Sequence, residues 1–294
     1  MSLISRLGIV FMRTLAHVPL RVTRGFGTGL GHALYALAAP RRRVVDANLA
    51  LCFPDKSAAE RRRIARETFV YVAQSWLDRS WLWHAPEEKV AARLQVKGSP
   101  AEIDEIANGR EPMILFAPHF YGLDAAATAL TMHTARPSTT IYTTQRDPMV
   151  DEWIREGRKR FGNVIALNRV DGIKPIIAGL RKGGLLYLLP DMDFGRDQTV
   201  FVPFYGVPAA TVPSLSRFAR LGRAKVVPIV SKLTPTGYEI EVLPAWRDFP
   251  TEDVVADTAL MNRRLQGYID TMPSQYYWVH RRFKTRPEGA APVY

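Results

Sequence analysis

Cysteine and the common catalytic signatures are scarce in this sequence. Cys52 is the only cysteine among 294 residues, which excludes a disulfide framework and fits a reducing compartment. The chain has no Gly-x-Ser-x-Gly nucleophile elbow, no His-Glu-x-x-His zinc motif and no phosphate-binding P-loop. Because Cys52 falls in a helical region far along the chain from the other reactive side chains, we expect no thiol nucleophile. These absences argue against the familiar serine hydrolases, zinc hydrolases and P-loop enzymes.

Long apolar runs are missing as well. A membrane-spanning helix needs about 20 mostly apolar residues in succession, and the first forty residues are interrupted by arginine, histidine and proline. In residues 4–18 apolar side chains recur on one side of a helix and basic side chains on another. The apolar side holds Ile4, Leu7, Phe11, Leu15 and Val18, and the basic side holds Arg6, Arg13 and His17. A second short apolar run, 26–39, is followed by three arginines.

These patterns predict an interfacial, membrane-docking helical segment over residues 1–40. Arg21, Arg24 and the arginines at 41–43 would then face anionic headgroups. A pair of ordinary core helices would give a similar pattern and stays open as an alternative. A cleaved signal peptide is disfavoured, since the segment before the Ala-Leu-Ala at 36–38 is too long and too rich in arginine.

Acidic residues are fewer than basic residues in this chain. The chain has 40 lysines and arginines against 28 aspartates and glutamates, a net charge of +12 with an isoelectric point near 10. This excess predicts an anionic partner: a membrane lipid, an acidic protein or nucleic acid. Zinc-finger spacing, an aromatic RNA-binding motif and a long basic tail are all absent from the sequence, so we do not expect nucleic acid.

The rest of the chain, residues 41–294, is predicted to form one α/β domain. Ser57 and Glu60 make a capping box at the start of a helix expected over 57–84. From about residue 92, short β-rich runs alternate with helical stretches, which predicts a mixed, mostly parallel sheet flanked by helices. The predicted strands are 93–98, 112–118, 139–144, 163–167, 184–190, 224–230 and 238–244. The predicted helices are 121–133, 148–161, 172–182, 212–221 and 253–272.

A histidine and an aspartate follow the predicted strand at 112–118. His119 comes directly after it, where parallel α/β sheets carry their reactive groups, and Asp124 falls in the first turn of the next helix. From there Asp124 could orient the imidazole and favour its protonated form, so that His119 acts as a general base without a protein nucleophile. A hydrogen-bonded structural histidine and an aspartate that complements the helix dipole would show the same spacing.

Other charged residues could belong to the same site. Asp191 and Asp193 could bind a metal ion, but carboxylates that cap a turn are the favoured interpretation, and we expect no metal. Arg146, Arg169 and the arginines of 280–287 could bind phosphates or carboxylates, or could form a solvated basic surface. These residues indicate a general-base enzyme that forms no covalent intermediate and acts on an anionic substrate at a membrane surface.

Several stretches resemble a known family. Residues 118–124, Pro-His-Phe-Tyr-Gly-Leu-Asp, look like the histidine–four residues–acid motif of glycerolipid acyltransferases. The places of that superfamily's second, third and fourth blocks are taken by 162–169, 188–195 and 226–230. Within the superfamily the chain is similar to the bacterial lipid A late acyltransferases, the lauroyl and myristoyl transferases. That likeness lies in residues 48–61, 191–211 and 275–287.

The resemblance implies a reaction. The donor would be a fatty acyl thioester on acyl carrier protein, with acyl-CoA also open, and the acceptor would be a lipid A precursor. His119, paired with Asp124, would deprotonate an acceptor hydroxyl, and the alkoxide would attack the thioester. No cofactor is expected. The enzyme would work on the cytoplasmic face of the inner membrane, with anionic membrane lipid as a further partner.

The resemblance also implies roles for the remaining candidates. Arg169 would bind an acceptor phosphate, with Arg146 as a weaker candidate. Asp191, Asp193 and Gly195 would shape the substrate-binding site. The fold would be that of glycerolipid acyltransferases, with the mostly parallel sheet already predicted and the docking segment before it.

One departure from the family pattern leaves the acceptor open. Most members of the lipid A branch carry Glu where this chain has Asp124, and Asp is usual in the glycerol-phosphate relatives. An ornithine lipid, a phosphatidylinositol mannoside or a lysophospholipid therefore remains an alternative acceptor. A catalytically silent membrane-binding protein is a third hypothesis, against which the intact His119 and Asp124 argue.

Overall fold

The N-terminal part of the chain is helical. The computed structural model describes residues 3–168 and 171–294. Its first helices are α1 (Leu3–Leu15), α2 (Leu20–Leu37), α3 (Ala39–Cys52) and α4 (Ala58–His84). Within the described ranges, no helix combines the length and apolarity needed to cross a bilayer. The predicted capping box is confirmed at the start of α4, where the amides of Ser57 and Glu60 each donate to the other side chain.

Helix α2 packs closely on α4. A Cβ atom at Gly31 would lie 2.4 Å from the Cα atom of Val70, so only glycine allows this approach. Arg24, which we expected to face headgroups, is instead buried and lies 2.8 Å from Asp78, whose side chain is fully enclosed. The Tyr238 hydroxyl also donates to Asp78, at 2.6 Å. This network ties α2 to the α/β domain.

The other sides of α1 and α2 expose apolar side chains. The exposed residues are Leu3, Ile4, Leu7, Val10 and Phe11 on α1 and Val22, Phe26, Leu30 and Leu37 on α2. Met12 and Leu20, in contrast, are buried in the same hydrophobic cluster as Trp81. The segment is therefore part of the folded core on one side and carries an uncovered apolar stripe on the other. The domain boundary at residue 40 stays a prediction.

The α/β domain is built on a seven-stranded sheet. The strands of the described ranges are β1 (Leu94–Gly98), β2 (Met113–Phe116), β3 (Ser138–Tyr142), β4 (Val164–Asn168), β5 (Leu185–Leu188), β6 (Val200–Phe204), β7 (Val207–Thr211), β8 (Lys225–Thr234) and β9 (Gly237–Val242). The sheet has the order β1-β9-β8-β2-β5-β3-β4, and among its described strands only the β8–β9 pair is antiparallel. The predicted mixed, mostly parallel sheet is confirmed.

Hydrophobic cores lie on both faces of this sheet. Successive side chains of a strand point to opposite faces, so β2 sends Ile114 and Phe116 into one cluster and Met113 and Leu115 into another. The remaining helices are α5 (Glu87–Ala91), α6 (Pro100–Asn108), α7 (Leu123–Met132), α8 (Pro148–Arg158), α9 (Lys174–Arg181), α10 (Ser214–Gly222) and α11 (Val254–Thr271). The five helices predicted from residue 121 onward correspond to α7–α11.

The β6–β7 hairpin lies outside the predicted strands. Pro203 and Pro208 face each other across its strands, and proline weakens a strand pattern because it lacks the amide donor. Its turn residues Tyr205 and Gly206 have φ angles of +51° and +75°. Positive φ at both positions is the geometry of a type I′ turn, whose usual sequence is Asn-Gly or Asp-Gly. The Tyr-Gly pair carries no such signal.

Candidate active site

Strand register places His119 beside Asp191 at the carboxyl edge of the sheet. β2 and β5 are parallel neighbours in which Phe116 pairs with Leu188. His119 lies three residues beyond Phe116, and Asp191 lies three residues beyond Leu188. The two loops begin at paired positions of the sheet, and the two residues lie equally far along them. This brings the two side chains together at the edge where ligands of such sheets bind.

The buried Asp191 carboxylate holds His119 at two points. Its Oδ1 lies 2.7 Å from the imidazole Nδ1, and its Oδ2 accepts from the His119 amide at 3.0 Å. The Tyr276 hydroxyl donates to the same Oδ2 at 3.0 Å. Burial alone would raise the pKa of Asp191, but the neighbouring His119 and these hydrogen bonds lower it to about 2. Asp191 is therefore ionised at neutral pH.

The ionised carboxylate fixes the tautomer of the neutral imidazole. A carboxylate can only accept hydrogen bonds, so Nδ1 of His119 carries the hydrogen and Nε2 keeps its lone pair. Nε2 lies on the far side of the ring from Asp191 and is left for a substrate in the cavity that His119 lines. The ring of Tyr277 stacks on the imidazole with 5.9 Å between centroids. This is the arrangement of an oriented general base.

Asp124 makes its ion pairs with two arginines. Nε of Arg79, on α4, donates to Oδ2 at 2.8 Å, and Nε of Arg158, on α8, donates to Oδ1 at 3.0 Å. Burial would raise the pKa of Asp124, but Arg158 and Arg79 lower it to about 2. The carboxylate hydrogen-bonded to the imidazole is therefore Asp191 and not the predicted Asp124. The first turn of α7 directs Asp124 toward α4 and α8.

A cavity of about 840 Å³ begins at these groups. His119, Asp124, Arg79, Arg158 and Tyr277 line it at the carboxyl edge of the sheet. Its apolar lining includes Leu115, Leu123, Ala127, Leu130, Ile141, Ile176, Leu185 and Leu188. Because the lining also includes the first residues of β3, β4 and β5, the cavity runs along the strands toward their amino ends. Its volume and its largely apolar lining suit a long apolar chain.

The C-terminal stretch 275–285 supports the site from one side. The Tyr121 amide donates to the Gln275 carbonyl at 3.0 Å, and Phe120 forms a β-bridge with Tyr276. Nε2 of His280 accepts from the amide of Asp193 at 3.1 Å. Burial, together with the charges of Arg282 and His119, lowers the pKa of His280 to about 4, so this imidazole is neutral and can accept.

Asp193 and Gly195 organise the loop after β5. Asp193 Oδ1 accepts from the Gly195 amide at 2.9 Å and from the Thr285 hydroxyl at 2.8 Å, and its Oδ2 accepts from the Thr285 amide at 2.8 Å. Gly195 has a φ angle of +103°, which side-chain-bearing residues rarely adopt. Neither residue lines the cavity, although their neighbour Phe194 does. Their predicted part in substrate binding stays a prediction.

The arginines at the site differ from the predicted ones. Arg146 is exposed on the loop between β3 and α8 and does not line the cavity, whereas the adjacent Gln145 does. Arg169 lies outside the described residues, so its predicted phosphate contact is untested. The structure instead brings Arg79 and Arg158 to the cavity. No motif marks these two among the many arginines of the helices, because only packing decides which of them face the sheet edge.

Comparison with known proteins identifies relatives over nearly the whole chain. Residues 2–285 match the model of a family described as bacterial lipid A biosynthesis acyltransferase. The lipid A biosynthesis lauroyltransferase of Escherichia coli K12 is 32% identical over 291 residues, covering 98% of this chain and 94% of the relative. A lipid A biosynthesis acyltransferase of Haemophilus influenzae is 33% identical, covering 96% and 88%. The lipid A biosynthesis myristoyltransferase of Escherichia coli K12 is 30% identical, covering 98% and 89%.

Proposed function

The chain belongs to the bacterial lipid A biosynthesis acyltransferase family and is an acyltransferase, and on that premise we propose that it moves a fatty acyl chain from acyl carrier protein to a hydroxyl of a lipid A precursor. The names of the relatives, lauroyltransferase and myristoyltransferase, support a fatty acyl group. One observation carries the proposed chemistry: the buried Asp191 orients His119 at the end of a deep, apolar cavity.

In the proposed reaction, Nε2 of His119 removes the proton of the acceptor hydroxyl. The resulting oxygen attacks the thioester carbonyl carbon, a new C–O bond forms, and the C–S bond breaks. The departing thiolate takes the proton back from the imidazolium, so the histidine is regenerated without an acyl-enzyme. Asp191 holds the ring and stabilises its positive charge while the proton resides there.

Arg79 and Arg158 are proposed to bind negative charge on the substrates. Each contacts Asp124 through Nε, which leaves its terminal nitrogens as donors toward the cavity that both residues line. Two guanidinium groups against one carboxylate also leave a net positive charge. Such a pair suits a phosphate of the acceptor or the oxyanion of the tetrahedral intermediate. Asp124 would then position both arginines without touching the imidazole.

The proposed donor and location rest on shape and charge. The apolar cavity suits a fatty acyl chain, and the net charge of +12 suits an acidic carrier protein. The exposed apolar stripe of α1 and α2, flanked by Arg13 and Arg21, suits shallow insertion into an anionic membrane. We therefore propose that the enzyme works on the cytoplasmic face of the inner membrane, because its acyl donor would be made in the cytoplasm.

The His119→Ala variant tests the chemistry. We expect acyl transfer from acyl carrier protein to a detergent-dispersed lipid A precursor to fall by roughly 10²–10⁴-fold, the usual value of general-base catalysis. His133→Ala is the matched control, since His133 is exposed at the end of α7. An initial rate of His119→Ala within a few-fold of the control would refute the general-base role.

Mass spectrometry of lipid A from a strain that lacks this enzyme tests the acceptor. The loss of one secondary acyl chain, restored by the wild-type gene and not by the His119→Ala gene, is the expected result. An unchanged lipid A profile together with the loss of an acyl group from another membrane lipid would show that the acceptor is a different one.

A further inference from the structure

A second cavity, which is basic and separate from the one at His119, lies between α2 and α4. It has a volume of about 650 Å³ and is lined by one stripe of α4 and by His32 of α2. The stripe follows helical spacing and comprises Ala59, Arg62, Arg63, Arg66, Glu67, Val70, Tyr71 and Gln74. We call this cavity the α2–α4 groove. No described residue lines both this groove and the cavity at His119.

Positive charge in the groove exceeds the negative charge that faces it. Among the described residues Glu67 is the single carboxylate that lines the groove, and both of its oxygens are engaged: Oε1 accepts from Arg63 at 2.7 Å, and Oε2 accepts from the Ser274 hydroxyl. Arg62 and Arg66 are exposed, and neither forms an ion pair with a carboxylate in the part of the chain that the structure describes. Their mutual repulsion would be relieved by an anion between them.

The geometry of the two arginines suits a phosphate group. Positions 62 and 66 are one helical turn apart, with Cβ atoms about 5–6 Å from each other, so the two planar guanidinium groups can approach one tetrahedral anion from two sides. The Arg66 guanidinium lies over the Tyr35 ring, 5.7 Å from its centroid, and that of Arg42 lies 5.4 Å from the same centroid. The Tyr35 ring therefore holds Arg42, a further positive charge, close to Arg66.

We propose that the α2–α4 groove is a phosphate-binding site, distinct from the catalytic cavity. Two sources would supply the same chemistry: the headgroup of an anionic phospholipid, or a free phosphate. The exposed Val22, Phe26 and Leu30 lie on another flank of α2 from His32, and they favour the lipid because they suit contact of this helix with a membrane surface. The proposal rests on the groove alone and not on acyl transfer.

Vesicle binding tests the lipid source. The groove variant is Arg62→Gln/Arg66→Gln, and the matched control is Arg247→Gln/Arg263→Gln, which removes the same charge from two exposed arginines elsewhere. Circular dichroism and thermal unfolding would establish that both variants are folded. We expect the groove variant to bind phosphatidylglycerol-containing vesicles roughly tenfold more weakly than the control. Binding of both to phosphatidylcholine vesicles should be equal.

Chemical protection tests the free-phosphate source. Inorganic phosphate should shield Arg62 and Arg66 of the wild-type protein from phenylglyoxal, as read by peptide mass spectrometry, and should not shield Arg247 or Arg263. Protection with equal vesicle affinities of the two variants would identify free phosphate, and weaker vesicle binding of the groove variant would identify a lipid headgroup. Equal vesicle affinities without protection would overturn the proposal.

Discussion

At the scale of single residues, the carboxylate that is hydrogen-bonded to the imidazole of His119 is not the one nearest to it in the sequence. Asp191, 72 residues away, contacts the imidazole, while Asp124 contacts Arg79 and Arg158. The two aspartates are therefore expected to fail in different ways when they are changed. Asp191 holds His119, the proposed general base, and Asp124 holds the arginines that we propose to bind the substrates.

Asp191→Asn should reduce kcat by roughly 10²–10⁴-fold, because an amide can stabilise the wrong imidazole tautomer and cannot balance the imidazolium charge.

Asp124→Asn should act mainly on KM for the anionic substrate and on stability. The free energy of unfolding should fall by roughly 3 kcal/mol, since the change leaves two partly buried guanidiniums without their carboxylate. Steady-state kinetics and urea unfolding measure both. If kcat fell in Asp124→Asn and not in Asp191→Asn, the carboxylate that acts with the imidazole would be Asp124.

The same two carboxylates should make stability depend on acid. Their pKa values are about 2 in the folded protein, against an ordinary 3.8. Each ionised carboxylate therefore contributes about 2 kcal/mol to the free energy of unfolding, and this contribution is fully present when the pH is well above 3.8. This contribution should disappear as the pH falls from about 4 toward 2. Urea unfolding at pH 7 and pH 3 should show a smaller pH effect in Asp191→Asn than in the exposed control Asp55→Asn. An equal pH effect in both variants would contradict the assignment.

At the scale of elements, α7 forms one wall of the proposed acyl cavity. The residues of α7 that line the cavity at helical spacing include Leu123, Asp124, Ala127 and Thr131, of which Ala127 is the smallest. Ala127→Phe should therefore shorten the accepted acyl chain and lower kcat/KM for the preferred donor by roughly 10–200-fold. Ala256→Phe, at an exposed position of α11, is the control. An unchanged donor preference of Ala127→Phe across acyl chains of different length would show that the chain lies elsewhere.

At the scale of the whole molecule, the N-terminal helices cannot simply be removed to test docking. Arg24 forms a buried pair with Asp78, and Met12 and Leu20 belong to a core cluster, so their deletion would disturb the fold. Changing the exposed stripe is the sharper experiment. Leu7→Ser/Phe11→Ser should weaken binding to anionic vesicles by roughly tenfold and leave activity on detergent-dispersed acceptor unchanged. Leu221→Ser/Val255→Ser is the control, and equal vesicle affinities of the two variants would show that α1 does not dock.

The features that the sequence determined by itself are the local ones. Strand alternation, helical spacing and the capping box at Ser57 depend on neighbouring residues, so the α/β order and the position of His119 at a strand end could be predicted. The β6–β7 hairpin could not, because proline and an unusual turn mask its pattern. Only the tertiary structure decided that Asp191 meets the imidazole, that Arg79 and Arg158 reach Asp124, and that Arg24 turns inward. The physical reason is that these contacts follow from the pairing of β2 with β5 and from the packing of α2, α4 and α8, which join residues distant in the chain.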